Sequence, residues 1–175
     1  MGWTPSPHRG SMRVLFGKEK EEAMEHLTMA EEIALGSTCF RAKGGSIIVK
    51  DGATIGKGFN SPPDGEILDH CRKDDLPSDF KSDKTCCIHA EWRAIIEALK
   101  KNPEKVEGSR IYFVRLNKEN KMQPAGHPYC TICSKLALEL GISEFVYRSE
   151  TGVVAYEAKE HNDVSFAYRR GVDKT

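Results

Sequence analysis

Two short clusters constrain this chain more than any other feature: His89-Ala90-Glu91 and Cys130-Thr131-Ile132-Cys133. Each opens a stretch with helical spacing of apolar residues, and one strand-like run, RIYFVRL at residues 110–116, lies between them. Two cysteines three apart at a helix start point the same way, and the free main-chain N–H groups there favour thiolate over thiol. With one imidazole they make three zinc ligands and leave a fourth position open for water, which is a catalytic rather than a closed structural pattern. Glu91 is not expected to be the fourth ligand. Two residues along a helix turn a side chain roughly 200° about the axis, so His89 and Glu91 diverge. A carboxylate beside an activated water is placed instead to take its proton and return it to a leaving group. Taken singly, each cluster has a plainer reading: a redox dithiol for the cysteines, and helix capping or a surface position for the histidine.

Composition narrows the setting. The 175 residues carry 26 basic and 26 acidic side chains, so the formal charge is zero, which argues against a protein that holds duplex nucleic acid by its phosphates. No apolar run approaches a membrane span and no secretory signal is visible, so the expectation is a soluble, cytoplasmic protein. Six cysteines in such a setting point to metal or catalysis before disulfides. Residues 1–11, with two prolines and a Gly10-Ser11-Met12 junction, read as a flexible leader left by cloning. Residues 12–175 then form one domain.

Along that domain, Ala23, Leu27, Ala30 and Ala34 recur at helical spacing, predicting a helix over 18–35. An Asp51-Gly52 turn joins strands at 45–50 and 54–60. Residues 61–84 are a long, mixed-charge loop of the kind that is more often functional than idle. Helices follow at 90–100 and 131–140, with strands at 110–116 and 144–148, an extended segment within 151–160 and a short closing helix at 162–170. Alternating helices and strands predict an α/β fold whose mixed sheet of about five strands is covered on both faces.

The spacing of H-x-E followed by C-x-x-C is that of zinc nucleobase deaminases, and the chain resembles the zinc-dependent cytidine and deoxycytidylate deaminases, the deoxycytidylate branch most closely. The likeness runs over residues 24–148. Gly36-Ser37-Thr38-Cys39-Phe40-Arg41 resembles that branch's Ser-Thr-Cys-x-Arg entry, and GSIIVKD at 45–51 its first strand. Gly58-Phe59-Asn60-Ser61-Pro62-Pro63 is similar to its Gly-Tyr-Asn-Gly-x-Pro loop, His70-Cys71 falls where it often has His-Cys, and Cys133-Ser134-Lys135 matches its helix. The resemblance implies a cytidine-deaminase-like three-layer αβα sandwich. It also implies His89, Cys130 and Cys133 as ligands of a catalytic Zn2+, Glu91 as proton shuttle, and attack at C4 of a cytosine ring with loss of ammonia. The substrate implied is a pyrimidine nucleotide, dCMP first, then another cytosine nucleotide, a nucleoside or a modified pyrimidine. Asn60 would contact the sugar, and the main chain at Ala90 together with Tyr129 would hold the base. A homo-oligomer is the family expectation.

The departures fall at the pocket wall. Tyr129 stands where the family has proline before the first cysteine, a polar stretch occupies 117–127, and Trp92-Arg93 replaces an x-Asn pair after Glu91. Ser134-Lys135-Leu136 disfavours the purine-acting relatives. Cys39, His70, Cys71, Cys86 and Cys87 offer ligands for a second, structural zinc, with buried free thiols as the alternative. Arg41, Lys43 and Lys57 are the candidate cations for a substrate phosphate. Outside the enzyme class stand a non-catalytic zinc module, with a closed four-ligand site, and a metal-free thiol redox protein.

Overall fold

The computed structural model describes residues 12–79 and 86–168, so the expected leader lies outside the described residues. Chain order runs β1 (Arg13–Val14), α1 (Gly17–Ala34), β2 (Gly44–Lys50), β3 (Ala53–Phe59), α2 (Ala90–Lys101) and β4 (Arg110–Leu116). It continues through β5 (Met122–Gln123), α3 (Thr131–Glu139), β6 (Glu144–Ser149), β7 (Gly152–Glu157) and α4 (Ala158–Ala167). The sheet order is β1-β7-β6-β4-β2-β3, with β5 paired to β4. Among the described residues only β4 and β6 run parallel, joined by the crossover through α3. Five full strands thus carry the mixed sheet, and two-residue strands at β1 and β5 bring the total to seven.

Strand alternation sorts side chains into two cores. Ile47, Tyr112, Val114 and Val146 face α1, where Ala23, Leu27, Ala30 and Ala34 form the buried stripe. Ile48, Ile111 and Phe145 face the other way, against Ala94, Ile95 and Ala98 of α2 and Ala137 of α3. Cross-strand register keeps each set together, with Ile48 opposite Ile111 and Ile111 opposite Phe145. The result is three layers, helix–sheet–helix, as expected for a cytidine-deaminase-like sandwich.

One contact sets the position of α2. A Cβ added to Gly56 would lie 2.3 Å from the Ala94 carbonyl oxygen, and one at Gly58 would lie 2.5 Å from Arg93 Cβ and 2.6 Å from the Ala94 nitrogen. Only glycine lets the helix backbone rest directly on β3.

Two sequence expectations shift. The closing helix begins at Ala158, not 162, because β7 ends at Glu157 and passes straight into it; the Ala158 N–H then bonds the Ser143 carbonyl (2.9 Å). The polar stretch 117–127 folds as a hairpin extension of β4. Asn117 closes it, its Oδ1 accepting from the Glu119 and Lys121 amides at 3.0 and 2.9 Å, and Arg115 pairs with Gln123 across it. The described part of the long loop holds two 3-10 turns, at Pro63–Gly65 and Arg72–Asp75. Among the described residues no helix is long and apolar enough to cross a membrane.

Candidate functional site

The starts of α2 and α3 meet. His89 is the residue before α2 and makes no capping bond with its side chain; its ring turns toward α3 instead. Cys130 caps α3, its Sγ accepting the Cys133 N–H at 3.4 Å. His89 Nδ1 lies 3.2 Å from Cys130 Sγ and 3.4 Å from Cys133 Sγ, and the two sulfurs are 3.1 Å apart. Among the described residues this is the group of His, Cys, Asp or Glu side chains close enough to hold one metal ion. The donors suit zinc, being one imidazole and two thiols. Ideal tetrahedral bond lengths would separate them by roughly 3.5–3.8 Å, so each need move outward only by tenths of an ångström.

The surroundings hold these atoms in place. Gly56 and Gly58 seat α2 on β3, as above. Arg93, one turn into α2, bonds Ser61 Oγ and the Pro62 carbonyl at 2.9 and 2.8 Å, while Ile88 N–H donates to Ser61 O at 2.9 Å. The Trp92-Arg93 departure is therefore half structural: Arg93 clamps the loop that precedes the site. On the other side Ser134 Oγ bonds Asn162 Oδ1 at 2.7 Å, tying α3 to α4.

Charge is distributed unevenly within the cluster. Bonding from Cys133 and then from His89 lowers the Cys130 thiol to about 4, against its burial, while the same pairing and burial push Cys133 upward. The contact with Cys130 raises His89. Burial, with the negative charge of Cys130 adding to it, pushes the Glu91 carboxyl up to about 7, despite His89. A carboxyl group that changes charge near neutrality is suited to pass a proton in both directions.

His89, Glu91 and Cys130 line one cavity of about 440 Å3, with Cys133 buried behind them. Ala90, buried at the first position of α2, forms part of its floor, and Tyr129, 59% exposed, stands at its rim with Tyr168 6.1 Å away. Asn60 also lines it, but its amide is already engaged. Oδ1 accepts from Gly44 N–H (2.7 Å) and lies 2.6 Å from Ser37 Oγ, and Nδ2 donates to the Ala42 carbonyl (2.8 Å). Asn60 thus ties the chain on either side of Cys39 to the cavity wall.

The five remaining metal-site candidates separate into three groups. Cys87 touches Cys39 and Cys86, and burial followed by these neighbours pushes its thiol up to about 12. Cys71 is buried and accepts from Arg41 Nε at 3.4 Å. His70 is exposed, its two ring nitrogens held by Asp69 (2.6 Å) and Asp75 (3.0 Å). Of the candidate cations, Arg41 and Lys43 line the cavity, and Arg41 is paired with Asp74; Lys57 lies on β3 away from it. Trp92 faces a separate, smaller hollow beside Cys86 and Cys87.

Among the cavity residues that motif reading misses are Phe113 and Arg115 on β4. The signal was present in RIYFVRL. On one strand face the run reads Ile111, Phe113, Arg115, so a cation falls where alternation calls for an apolar side chain.

The family model for the cytidine and deoxycytidylate deaminase zinc-binding region matches residues 18–149. A deoxycytidylate deaminase of Mycobacterium phage D29 is 31% identical over 133 residues, covering 71% of this chain and 92% of that protein. One from Schizosaccharomyces pombe is 27% identical over 139 residues; the match covers 75% of this chain but 38% of that longer relative. Among solved structures, the dCMP deaminase of cyanophage S-TIM5, in complex with dCMP and dUMP, superposes with a TM-score of 0.56 at 26% identity, over 87% of this chain and 94% of that one.

Proposed function

The chain belongs to the cytidine and deoxycytidylate deaminase zinc-binding family, and from that premise we propose that it hydrolyses the exocyclic amine of dCMP, giving dUMP and ammonia. The observation that carries the reading is the convergence of His89 Nδ1, Cys130 Sγ and Cys133 Sγ within 3.4 Å, with His89 and Cys130 lining the same cavity as Glu91. The phage and yeast relatives named for deoxycytidylate, and the cyanophage enzyme's complex with dCMP and dUMP, support the choice of substrate.

His89, Cys130 and Cys133 would hold one zinc ion, whose Lewis acidity makes water a nucleophile at neutral pH. One ion per chain is the stoichiometry we adopt, because His70 is held by Asp69 and Asp75 and Cys71 by Arg41. Glu91 takes the proton of the attacking water on a carboxylate oxygen and hands it to the ring nitrogen beside C4; it then takes the proton of the new C4 hydroxyl and delivers it to the departing amine as the C–N bond breaks and the C4 carbonyl forms. Its raised proton affinity, set by burial, matches both directions of transfer. Phe113 and Tyr129 supply flat walls for the pyrimidine. The Ala90 main chain lies at the positive end of α2, where the developing charge on the ring is favoured. Asn60 fixes the wall on the sugar side.

The test is loss of the cytosine absorbance band and release of ammonia from dCMP, with zinc counted by elemental analysis. Glu91→Gln is expected to lower kcat by about 10²–10⁴-fold with zinc retained. A full rate in that variant removes Glu91 from the proton path. Zinc-loaded wild-type protein that consumes no cytosine compound overturns the whole reading, and protein isolated with zinc well below one per chain favours a Cys130–Cys133 redox pair.

A further inference from the structure

Arg93 has no role in zinc binding or proton transfer, yet it joins two chain segments that shape the cavity. It is the fourth residue of α2, half-buried, and its main-chain N–H bonds the His89 carbonyl at 3.1 Å. Its side chain leaves the helix over Gly58, where an added Cβ would lie 2.5 Å from Arg93 Cβ. From there Nη2 reaches three oxygens: Pro62 O at 2.8 Å, Ser61 Oγ at 2.9 Å and Ser61 O at 3.3 Å. Among the described residues these neutral oxygens are its side chain's only acceptors, and its Nε is buried without a partner. A charged donor spent on the main chain of two buried residues fixes the segment that carries them, because such bonds are stronger than neutral ones and costly to leave unmade.

The segment so fixed is a junction. Ser61 follows Asn60, which lines the cavity and whose amide holds Gly44 and Ala42. The Ser61 carbonyl that Arg93 touches also accepts the Ile88 N–H at 2.9 Å, and Ile88 immediately precedes His89. One guanidinium therefore ties the Asn60 wall to the start of α2, which carries His89 and Glu91, at a shared oxygen. Both ends of the Ser61–Arg93 bond are positions where this chain departs from the pattern it resembles. Serine stands at the second glycine of Gly-Tyr-Asn-Gly-x-Pro, and arginine at the asparagine that follows the glutamate by two. The two departures are partners in space.

Resting on the deaminase reading, we propose that Arg93 is a positioning residue: through Ser61 it sets the register between the Asn60 wall on the sugar side and the Glu91 carboxylate, and so aligns C4 of the bound pyrimidine for attack. Without this tie the nucleotide keeps its contacts but meets the attacking water out of line, and a misplacement of about 1 Å can cost about 10²-fold in rate. Arg93 therefore acts on kcat and leaves KM nearly unchanged.

The experiment compares wild type, Arg93→Ala, Arg93→Lys and Ser61→Ala, zinc-loaded and assayed on dCMP well below their Tm, with rates expressed per bound zinc. Arg93→Ala should lower kcat about 10–100-fold with KM within about threefold. Arg93→Lys should fall between, Ser61→Ala should show a smaller loss of the same kind, and added guanidinium ion should restore part of the rate to Arg93→Ala. Should Arg93→Ala not fold, the two milder variants carry the same split. A raised KM at unchanged kcat would make the clamp a binding contact, and wild-type kinetics at a lower Tm would make it a support of the fold; both overturn the proposal. The tie itself is read without substrate, from hydrogen exchange at the Ile88 amide. In Arg93→Ala that amide should exchange much faster while those of β4 keep their protection, and exchange at the wild-type rate refutes the tie. If wild type deaminates no cytosine compound, the deaminase reading fails by itself, and the Ile88 amide alone judges whether Arg93 holds the junction.

Discussion

His161, on the inner side of α4, offers a test of the packing that uses no substrate. It is 7% exposed, and its ring lies flat on Phe145 with centroids 3.8 Å apart and planes 10° apart. Tyr147 and Tyr156 present their edges at 6.3 and 6.0 Å, and the ring Nδ1 has no partner among the described residues. Burial alone lowers its pKa from 6.5 to about 4. The native ring is therefore neutral between those values, while the unfolded ring takes up a proton. Its contribution is complete above pH 6.5 and is lost as pH falls toward 4. At 1.36 kcal/mol per unit, the shift corresponds to about 3 kcal/mol by pH 4, and to about 2 kcal/mol between pH 7 and pH 5. The perturbation is His161→Phe, which keeps the stack and abandons no hydrogen bond. Urea unfolding at pH 7 and pH 5, followed by far-ultraviolet circular dichroism, gives the stability of both proteins. The wild type should lose about 2 kcal/mol more than the variant over that interval, because His26 and every carboxylate are common to both and cancel. Equal losses, within about 0.5 kcal/mol, would refute the claim that a neutral histidine is trapped in this core.

The seating of α2 predicts a second effect: Gly58→Ala forces a Cβ against the Ala94 nitrogen and should cost about 1–3 kcal/mol, seen as a Tm lower by several degrees, with weakened zinc retention. An unchanged Tm would show that the helix can lift at no cost. Asn60→Ala removes its bonds to Gly44, Ala42 and Ser37, so roughly 2–3 kcal/mol should go from the loop anchor, and the Gly44 amide should exchange its hydrogen much faster. Protection that stays at the wild-type level would place the anchor elsewhere.

Periodicity was enough for the layers. The stripe Ala23, Leu27, Ala30, Ala34 and the run RIYFVRL are local patterns whose burial follows from helical and strand geometry. The meeting of His89, Cys130 and Cys133 was equally legible, because two helix starts with matching donors have few other ways to satisfy one another. What sequence withheld was partnership. Nothing local distinguishes Arg115, left without an acceptor, from Arg110, which Glu144 and Glu19 neutralise from other elements. Nor does local sequence separate His70, taken by Asp69 and Asp75, from Cys87 only a loop away. Asn60 was singled out for a sugar contact, but its amide is committed to the main chain of residues 42 and 44, which become its neighbours only after β2 and β3 pair.

The glycine seat of α2 has a consequence for how such an enzyme can change. Where side chains separate a helix from a sheet, exchanging one for a larger or smaller neighbour tilts the helix and shifts whatever it carries. Beneath the first turns of α2 no such cushion exists: main chain lies on main chain at Gly56 and Gly58. The height of His89 and Glu91 above the strands is thus indifferent to variation in the hydrophobic interior. New substrates must be reached through the rim, by way of Tyr129, the hairpin at 117–127 and the segment around Asn60, while the chemistry beneath is inherited unaltered.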